Sequence, residues 1–112
     1  MTQSKKIPLL QGTLDLLILH TLRSGPMHGY SITKHIRTVS DEVLQVEEGS
    51  LYPALHRLEK RGWVKSHWGV SETNRRAKFY QLSTTGKKHL ATETQAWDQL
   101  SQAVDRILMF EP

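Results

Sequence analysis

The chain has 112 residues, of which 38% are hydrophobic, with a formal net charge of +4 and no cysteine. This length suits a single domain, and the lack of cysteine excludes disulfide bonds, a thiolate nucleophile and a cysteine-ligated zinc site. Because no stretch approaches the ~20 apolar residues of a membrane span, and no signal-peptide cleavage site follows the N-terminus, we expect a soluble cytoplasmic protein without a membrane partner.

The positive charge is concentrated in the middle of the chain. Residues 50–88 hold nine Lys or Arg and two acids, whereas residues 1–49 hold five of each and residues 89–112 hold one Arg and four acids. A local surplus of cations is typical of a surface that binds a polyanion, and an ordinary solvated basic face is the alternative.

An apolar run predicts the first helix, from residue 9 or 10 to about residue 23, after a polar and loose start at residues 1–8. Apolar residues lie on nearly every side of this helix, with a main stripe at Leu10, Leu14, Leu17 and Ile18. Such a helix is buried on several sides, so in a chain this short we expect a partner subunit to supply part of the cover.

A second amphipathic helix is predicted at about residues 28–39. Its inner face has apolar residues at i, i+4 and i+7, namely Ile32, Ile36 and Val39. An outer line at the same spacing holds Tyr30, Lys34 and Arg37. A polar connection leads to a third helix within residues 48–62, so the two helices form a helix-turn-helix unit.

The third helix has one apolar face and one face rich in hydrogen-bond donors. Leu51, Leu55 and Leu58 share the inner side, whereas the opposite side holds Tyr52, Pro53, His56, Arg57 and Lys60. Ser50 is the expected N-cap, which would place Pro53 in the first turn, and Gly62 is the expected stop. Exposed donors near the start of a helix suit entry into the major groove of DNA.

Alternating aromatic and polar residues at 63–68 and 77–82 predict two β-strands. The loop between them ends in Asn74, Arg75 and Arg76, which gives this hairpin a basic tip. Three helices followed by such a hairpin have the layout of a winged helix-turn-helix, and we assign this DNA-binding domain to residues 1–82. The predicted fold class is mainly α with a small β-hairpin.

A last helix is predicted from Ser83, the expected N-cap, to about residue 110. Apolar residues recur in it with a period of ~3.5, as in a coiled-coil seam, at Leu90, Trp97, Leu100, Val104, Ile107 and Leu108. We therefore assign residues 83–112 to a C-terminal dimerisation helix that pairs with its own symmetry mate.

Taken together, these blocks resemble the PadR-like family of transcriptional regulators. The resemblance covers residues 9–90 and rests on GTLDLLIL at 12–19, HGY at 28–30, GSLYPAL at 49–55, RLE at 57–59, GWV at 62–64 and NRRAKFY at 74–80. It implies a dimeric winged-helix repressor of the short subfamily, in which one C-terminal helix makes the dimer. It also implies flat aromatic ligands around the dimer interface, which makes Trp97 a candidate for an effector pocket.

The predicted DNA-binding residues fall into three groups. On the third helix, contacts to bases or phosphates are expected from Ser50, Tyr52, Pro53, His56 and Arg57. At the wing, the DNA backbone or the minor groove would be bound by Arg75, Arg76 and Lys78, and on the second helix phosphates would be bound by Tyr30 and Lys34. The alternatives are a solvated face for His56, Arg57 and Lys34, and packing of Tyr52 against the wing.

No catalytic, metal or cofactor site is predicted. The six histidines include no pair at His-x-x-x-His spacing, and neither paired carboxylates nor a nucleophile elbow are found. The predicted function is that of a homodimeric repressor that binds double-stranded DNA at a palindromic operator, with release by a small aromatic effector as a further option. The alternative is a winged-helix module that binds another protein without DNA.

Overall fold

The computed structural model describes residue 9 and residues 11–112, which form four α-helices and three β-strands. The helices are α1 (Gln11–Thr21), α2 (Gly29–Val39), α3 (Glu48–Lys60) and α4 (Thr84–Met109), and a 3-10 turn at Leu22–Ser24 follows α1. The strands are β1 (Met27–His28), β2 (Val64–Val70) and β3 (Arg76–Leu82). The predicted fold class is confirmed, whereas the expected loose start at residues 1–8 and the inward position of Leu10 lie outside the described residues.

The three strands form one antiparallel sheet in the order β1, β3, β2. The β2–β3 hairpin is the predicted wing, with Val64 opposite Leu82 at its base and Val70 opposite Arg76 near its tip. The sequence analysis did not predict β1, because a strand of two residues is too short to show an alternating pattern. This strand pairs Met27 with Tyr80 and His28 with Phe79, so it places the start of α2 beside the wing.

The hydrophobic core lies around α1, which packs against α2, α3 and α4. Its buried residues come from every element of the predicted domain and include Leu14, Ile18, Leu19, Ile32, Leu51 and Leu55. The predicted inner faces of α2 and α3 are therefore confirmed, except that Val39, in the last turn of α2, is exposed. This core fixes the direction in which the outer face of α3 points.

The start of α3 differs from the prediction. The helix begins at Glu48 with Glu47 as its N-cap, so the expectation that Ser50 is the N-cap is wrong. Pro53 accordingly lies inside the helix rather than in its first turn, and it cannot donate the helical bond to the carbonyl of Gly49. The end agrees with the prediction, since Gly62 follows the helix with a φ of 78° that suits glycine.

The start of α4 is held against the turn between α3 and β2. The Ser83 hydroxyl accepts a bond from the Gly86 N–H at 2.9 Å, as expected of an N-cap, and donates to the Gly62 carbonyl at 2.6 Å. The rings of Trp63 and His89 stack with their centroids 4.0 Å apart. Leu90 is buried in the chain's own core, which differs from its predicted place in a dimer seam.

Candidate nucleic-acid interface

An open groove of about 910 Å³ lies between the start of α2 and the wing. Six of the ten predicted DNA-binding residues line it, namely Tyr30, Lys34, Tyr52, Arg75, Arg76 and Lys78. Four of these six are cations, although they are separated by up to 44 positions in the sequence. The fold thus gathers the predicted α2 and wing residues along one basic groove, whose positive charge suits a phosphate backbone.

The outer face of α3 begins at the mouth of this groove. The side chains of Ser50, Tyr52, Pro53 and His56 are exposed there, as the helical pattern predicted. The alternative for Tyr52 is packing against the wing. The Tyr52 ring lies beside Gly29 at the start of α2 and lines the groove that separates α2 from the wing. A β-carbon at Gly29 would overlap the Tyr52 hydroxyl, so glycine at this position lets α2 and α3 approach closely.

Arg57 does not lie on the outer face, in contrast to the prediction. It points toward α1, where its Nη2 donates to Oδ1 of Asp15 at 2.9 Å, and Arg61 Nη1 lies 3.7 Å from Oδ2 of the same carboxylate. The Asp15 side chain is 9% exposed and that of Arg57 is 30% exposed. The error has a physical cause: α1 packs beside the leucine stripe of α3 and covers a wider arc than that stripe alone marks. Arg57 therefore joins α3 to α1 through the Asp15 carboxylate.

Replacing Arg57 with alanine should lower the free energy of unfolding by about 1–3 kcal/mol, because the buried Asp15 carboxylate would lose its shorter ion pair and keep only Arg61. Urea unfolding at fixed protein concentration measures this change. The matched control is Lys60→Ala on the exposed face of the same helix, for which we expect less than about 0.5 kcal/mol. Equal stability of the two variants would contradict the structural role of Arg57.

The wing presents an aromatic and basic surface to the groove. Trp68 is 59% exposed, and the Arg76 guanidinium lies over its ring at 4.5 Å from the centroid. The sequence analysis missed Trp68 as a site residue, although strand alternation and its position opposite Lys78 place both side chains on one face. Burial raises the pKa of Tyr80, which lies on this face, so its hydroxyl stays neutral at physiological pH.

The wing is also joined to α3. Glu59 accepts a hydrogen bond from the Ser66 hydroxyl at 2.5 Å, and its carboxylate lies 4.0 Å from Lys78 Nζ. Lys78 is therefore partly neutralised within the fold. Within the described part of the chain, Arg75 and Arg76 form no ion pair. Of the predicted wing cations, the two arginines are thus the more available to an external anion.

Comparison with known proteins shows which family the chain belongs to. The model of the transcriptional regulator PadR-like family matches residues 18–92, which is more than half of the chain. This chain belongs to the PadR-like family. Membership makes it a transcriptional regulator rather than an enzyme, as the sequence predicted.

Individual relatives of the PadR-like family agree with this assignment. The chain is similar to the transcriptional regulator Rv3488 of Mycobacterium tuberculosis, with 32% identity over 84% of both chains. It is 29% identical to the negative transcriptional regulator PadR of Bacillus subtilis, over 69% of this chain and 42% of that protein. A solved structure of a transcriptional regulator from Clostridium thermocellum matches with a TM-score of 0.78 and 34% identity, covering 86% of this chain and 90% of that chain.

In this PadR-family chain, α4 leaves the domain with an uncovered apolar strip. The helix has 26 residues, about 39 Å, and only its first part is buried against the core. Five of the six predicted seam residues are 43–76% exposed, namely Trp97, Leu100, Val104, Ile107 and Leu108. Isolated exposed apolar residues are common on monomers, whereas several that recur along one helix are typical of an interaction surface.

Two further findings concern membrane-spanning helices and metal sites. Within residues 9 and 11–112, no helix is long and apolar enough to span a bilayer. Over the same part of the chain, no group of three or more His, Cys, Asp or Glu side chains is arranged to hold a metal ion.

Proposed function

We propose that the chain is a homodimeric DNA-binding repressor that recognises a palindromic operator. The basic groove between α2 and the wing is the observation that supports this proposal most strongly, since it places four cations beside the exposed face of α3. In the proposed complex, α3 enters the major groove, the phosphate backbone follows the basic groove, and the tip of the wing lies over the adjacent minor groove. The name of the Bacillus subtilis relative, a negative regulator, favours repression.

Sequence recognition is proposed to come from the exposed start of α3. This surface holds Ser50, Tyr52, Pro53 and His56. Among the described residues, the exposed His56 imidazole forms no hydrogen bond. Its ring nitrogens can donate to or accept from base edges in the major groove. With Arg57 committed to Asp15, His56 becomes the leading candidate for base discrimination on this helix.

Replacing His56 with alanine should reduce the affinity for the operator by about 1 kcal/mol, roughly fivefold, and leave the affinity for unrelated DNA almost unchanged. The reason is that a base contact distinguishes sequences, whereas phosphate contacts do not. Fluorescence anisotropy with operator and scrambled duplexes measures the ratio. His20→Ala, an exposed histidine at the end of α1, is the control, and an equal loss on both duplexes would contradict the assignment.

The proposed dimer forms through the exposed strip of α4. Pairing of this strip with its symmetry mate would bury its five apolar side chains and present two α3 helices to the same side of a duplex. Half-sites of the operator should then lie about 34 Å apart, one helical turn, or a multiple of that distance.

A small flat aromatic compound is proposed as an effector, with Trp97 as the residue that contacts it. The Trp97 ring is half exposed on the apolar strip, so the two-fold axis of the proposed dimer would bring two such rings near one another. A compound that binds there and changes the angle between the α4 helices would weaken operator binding. Quenching of Trp97 fluorescence, in a variant that lacks the other two tryptophans, tests this contact.

The alternative function is that of a winged-helix module that binds another protein. Measuring the affinity for DNA at several salt concentrations distinguishes it from the proposed function. If the groove binds phosphates, the affinity for duplex DNA upstream of the chain's own gene should fall steeply and linearly on a log–log plot as salt rises. The absence of binding to any duplex at low salt, together with a salt-insensitive protein partner, would support the alternative.

A further inference from the structure

One acidic side chain lies among the residues that line the basic groove. Glu72, in the turn between β2 and β3, directs its Oε1 to Nε2 of His28 at 3.2 Å. Its neighbours in the groove include Lys34 and Arg75. An acid in this position opposes the positive charge that the rest of the groove provides, so its presence there calls for a role.

The His28 ring is oriented to donate to that carboxylate. Its Nδ1 accepts the Ser31 N–H at 3.3 Å as the N-cap of α2, which leaves Nε2 as the ring nitrogen that can donate. Nε2 lies 3.2 Å from Glu72 Oε1 and also 3.2 Å from the Ser31 hydroxyl oxygen, which can itself donate to Glu72 or to solvent. The ring also packs edge-on against Phe79, with centroids 5.4 Å apart, and is largely covered at 13% exposure. His28 is therefore a well-held ring whose Nε2 faces the Glu72 carboxylate at the edge of the groove.

Glu72, in contrast, is held by little else. Its side chain is 78% exposed, so little packing holds it in the groove. Its own backbone hydrogen bond and the bond to His28 lower the pKa of its carboxyl group, so the group is ionised at neutral pH. A largely covered ring thus faces an exposed anion, in a groove that is also lined by four cations.

We propose that the Glu72 carboxylate occupies the place of a DNA backbone phosphate beside His28 and Lys34, and that it leaves this place when DNA binds. The inference rests on the proposed DNA-binding function and deepens it in two ways. It assigns His28 as a phosphate-binding residue, and it assigns Glu72 as an intramolecular competitor that weakens DNA binding. Because phosphates are identical in all sequences, this competition lowers the affinity for operator and non-operator DNA alike.

Replacing Glu72 with glutamine tests the competition, since Gln keeps the size of the side chain and removes its charge. We expect tighter binding to both an operator and a scrambled duplex, by a similar factor of roughly two to ten. Asp105→Asn, on the exposed part of α4, is the matched control because it changes the net charge equally outside the groove lining. Its effect should be less than about twofold at physiological salt, where the Debye length is ~8 Å.

A second variant separates displacement from a general charge effect. His28→Asn retains a good N-cap for α2 but lacks the ring nitrogen that reaches Glu72. In this background the Glu72 carboxylate would move out of the groove, so Glu72→Gln should tighten binding no more than the Asp105 control does. Far-UV circular dichroism should show that His28→Asn leaves the helices intact.

The outcomes separate the two proposals. If the unaltered chain binds DNA and Glu72→Gln tightens binding only to the extent of the control, the competition is wrong and the proposed function stands. The competition is also wrong if Glu72→Gln has the same effect with His28 as with Asn at position 28. If the unaltered chain binds no duplex, both proposals fail.

Discussion

Replacing Arg75 and Arg76 together with alanine should lower the affinity for every DNA duplex by roughly 10- to 100-fold at physiological salt. Both arginines line the basic groove, and among the described residues neither forms an ion pair. If each binds one phosphate, the slope of log K against log salt should become shallower by about 1.8, because each lost contact removes about 0.9. Anisotropy titrations at several salt concentrations give both quantities.

A matched pair of lysines controls for net charge in this experiment. Lys87 and Lys88 are exposed in the first turns of α4 and lie outside the basic groove, so replacing both with alanine removes the same charge. The slope should then stay unchanged. Equal losses for the two double variants would mean that the wing makes no specific phosphate contact. Since Arg76 stacks on Trp68, circular dichroism must also show that the wing variant is folded.

Introducing an aspartate at Val104 should dissociate the proposed dimer. Val104 lies in the middle of the exposed strip of α4, where its symmetry mate would have to share a desolvated seam with the new charge. We expect the dimer dissociation constant to rise by about 100-fold or more, and affinity for a palindromic operator to fall by about 100-fold because the second half-site contributes nothing to a monomer. Analytical ultracentrifugation and anisotropy measure the two effects.

The control for this prediction is Gln102→Asp, which adds the same charge two positions away. Gln102 is exposed and lies off the apolar strip on the same helix. It should leave both the dimer and operator binding close to those of the unaltered chain. If Val104→Asp remains a dimer, the strip of α4 is not the interface, and the half-site geometry that depends on it is wrong as well.

Periodicity and local charge were enough to predict the four helices, the β2–β3 hairpin and their order. The leucines of α3 recur at helical spacing and are buried, and three cations of the basic region, Arg75, Arg76 and Lys78, line the groove. The Ser83 cap and the Gly62 stop were predictable because each rests on bonds to residues within a few positions. Short-range physics determines these features, so one sequence reveals them.

Contacts between distant residues could not be predicted in the same way. Arg57 pairs with Asp15 across 42 positions and Glu72 with His28 across 44, and neither pair leaves a periodic trace. A helical wheel shows where Arg57 lies relative to the leucines of α3, but not how many neighbours cover the helix. Because α1 packs against the side of α3 that holds Arg57, this residue is not on the exposed face. The contact of Arg57 with α1 therefore appears only in the folded chain, and the contact of His28 with Glu72 depends on β1 and the wing.

The account depends on two copies of the chain placing paired α3 helices and basic grooves on one duplex. Hydroxyl-radical footprinting on the DNA upstream of the chain's own gene tests this claim most directly. It should show two symmetric sets of protected sugars, with centres about 34 Å apart or a multiple of that distance. Protection of a single half-site, or of none, at concentrations where the chain is dimeric would contradict it.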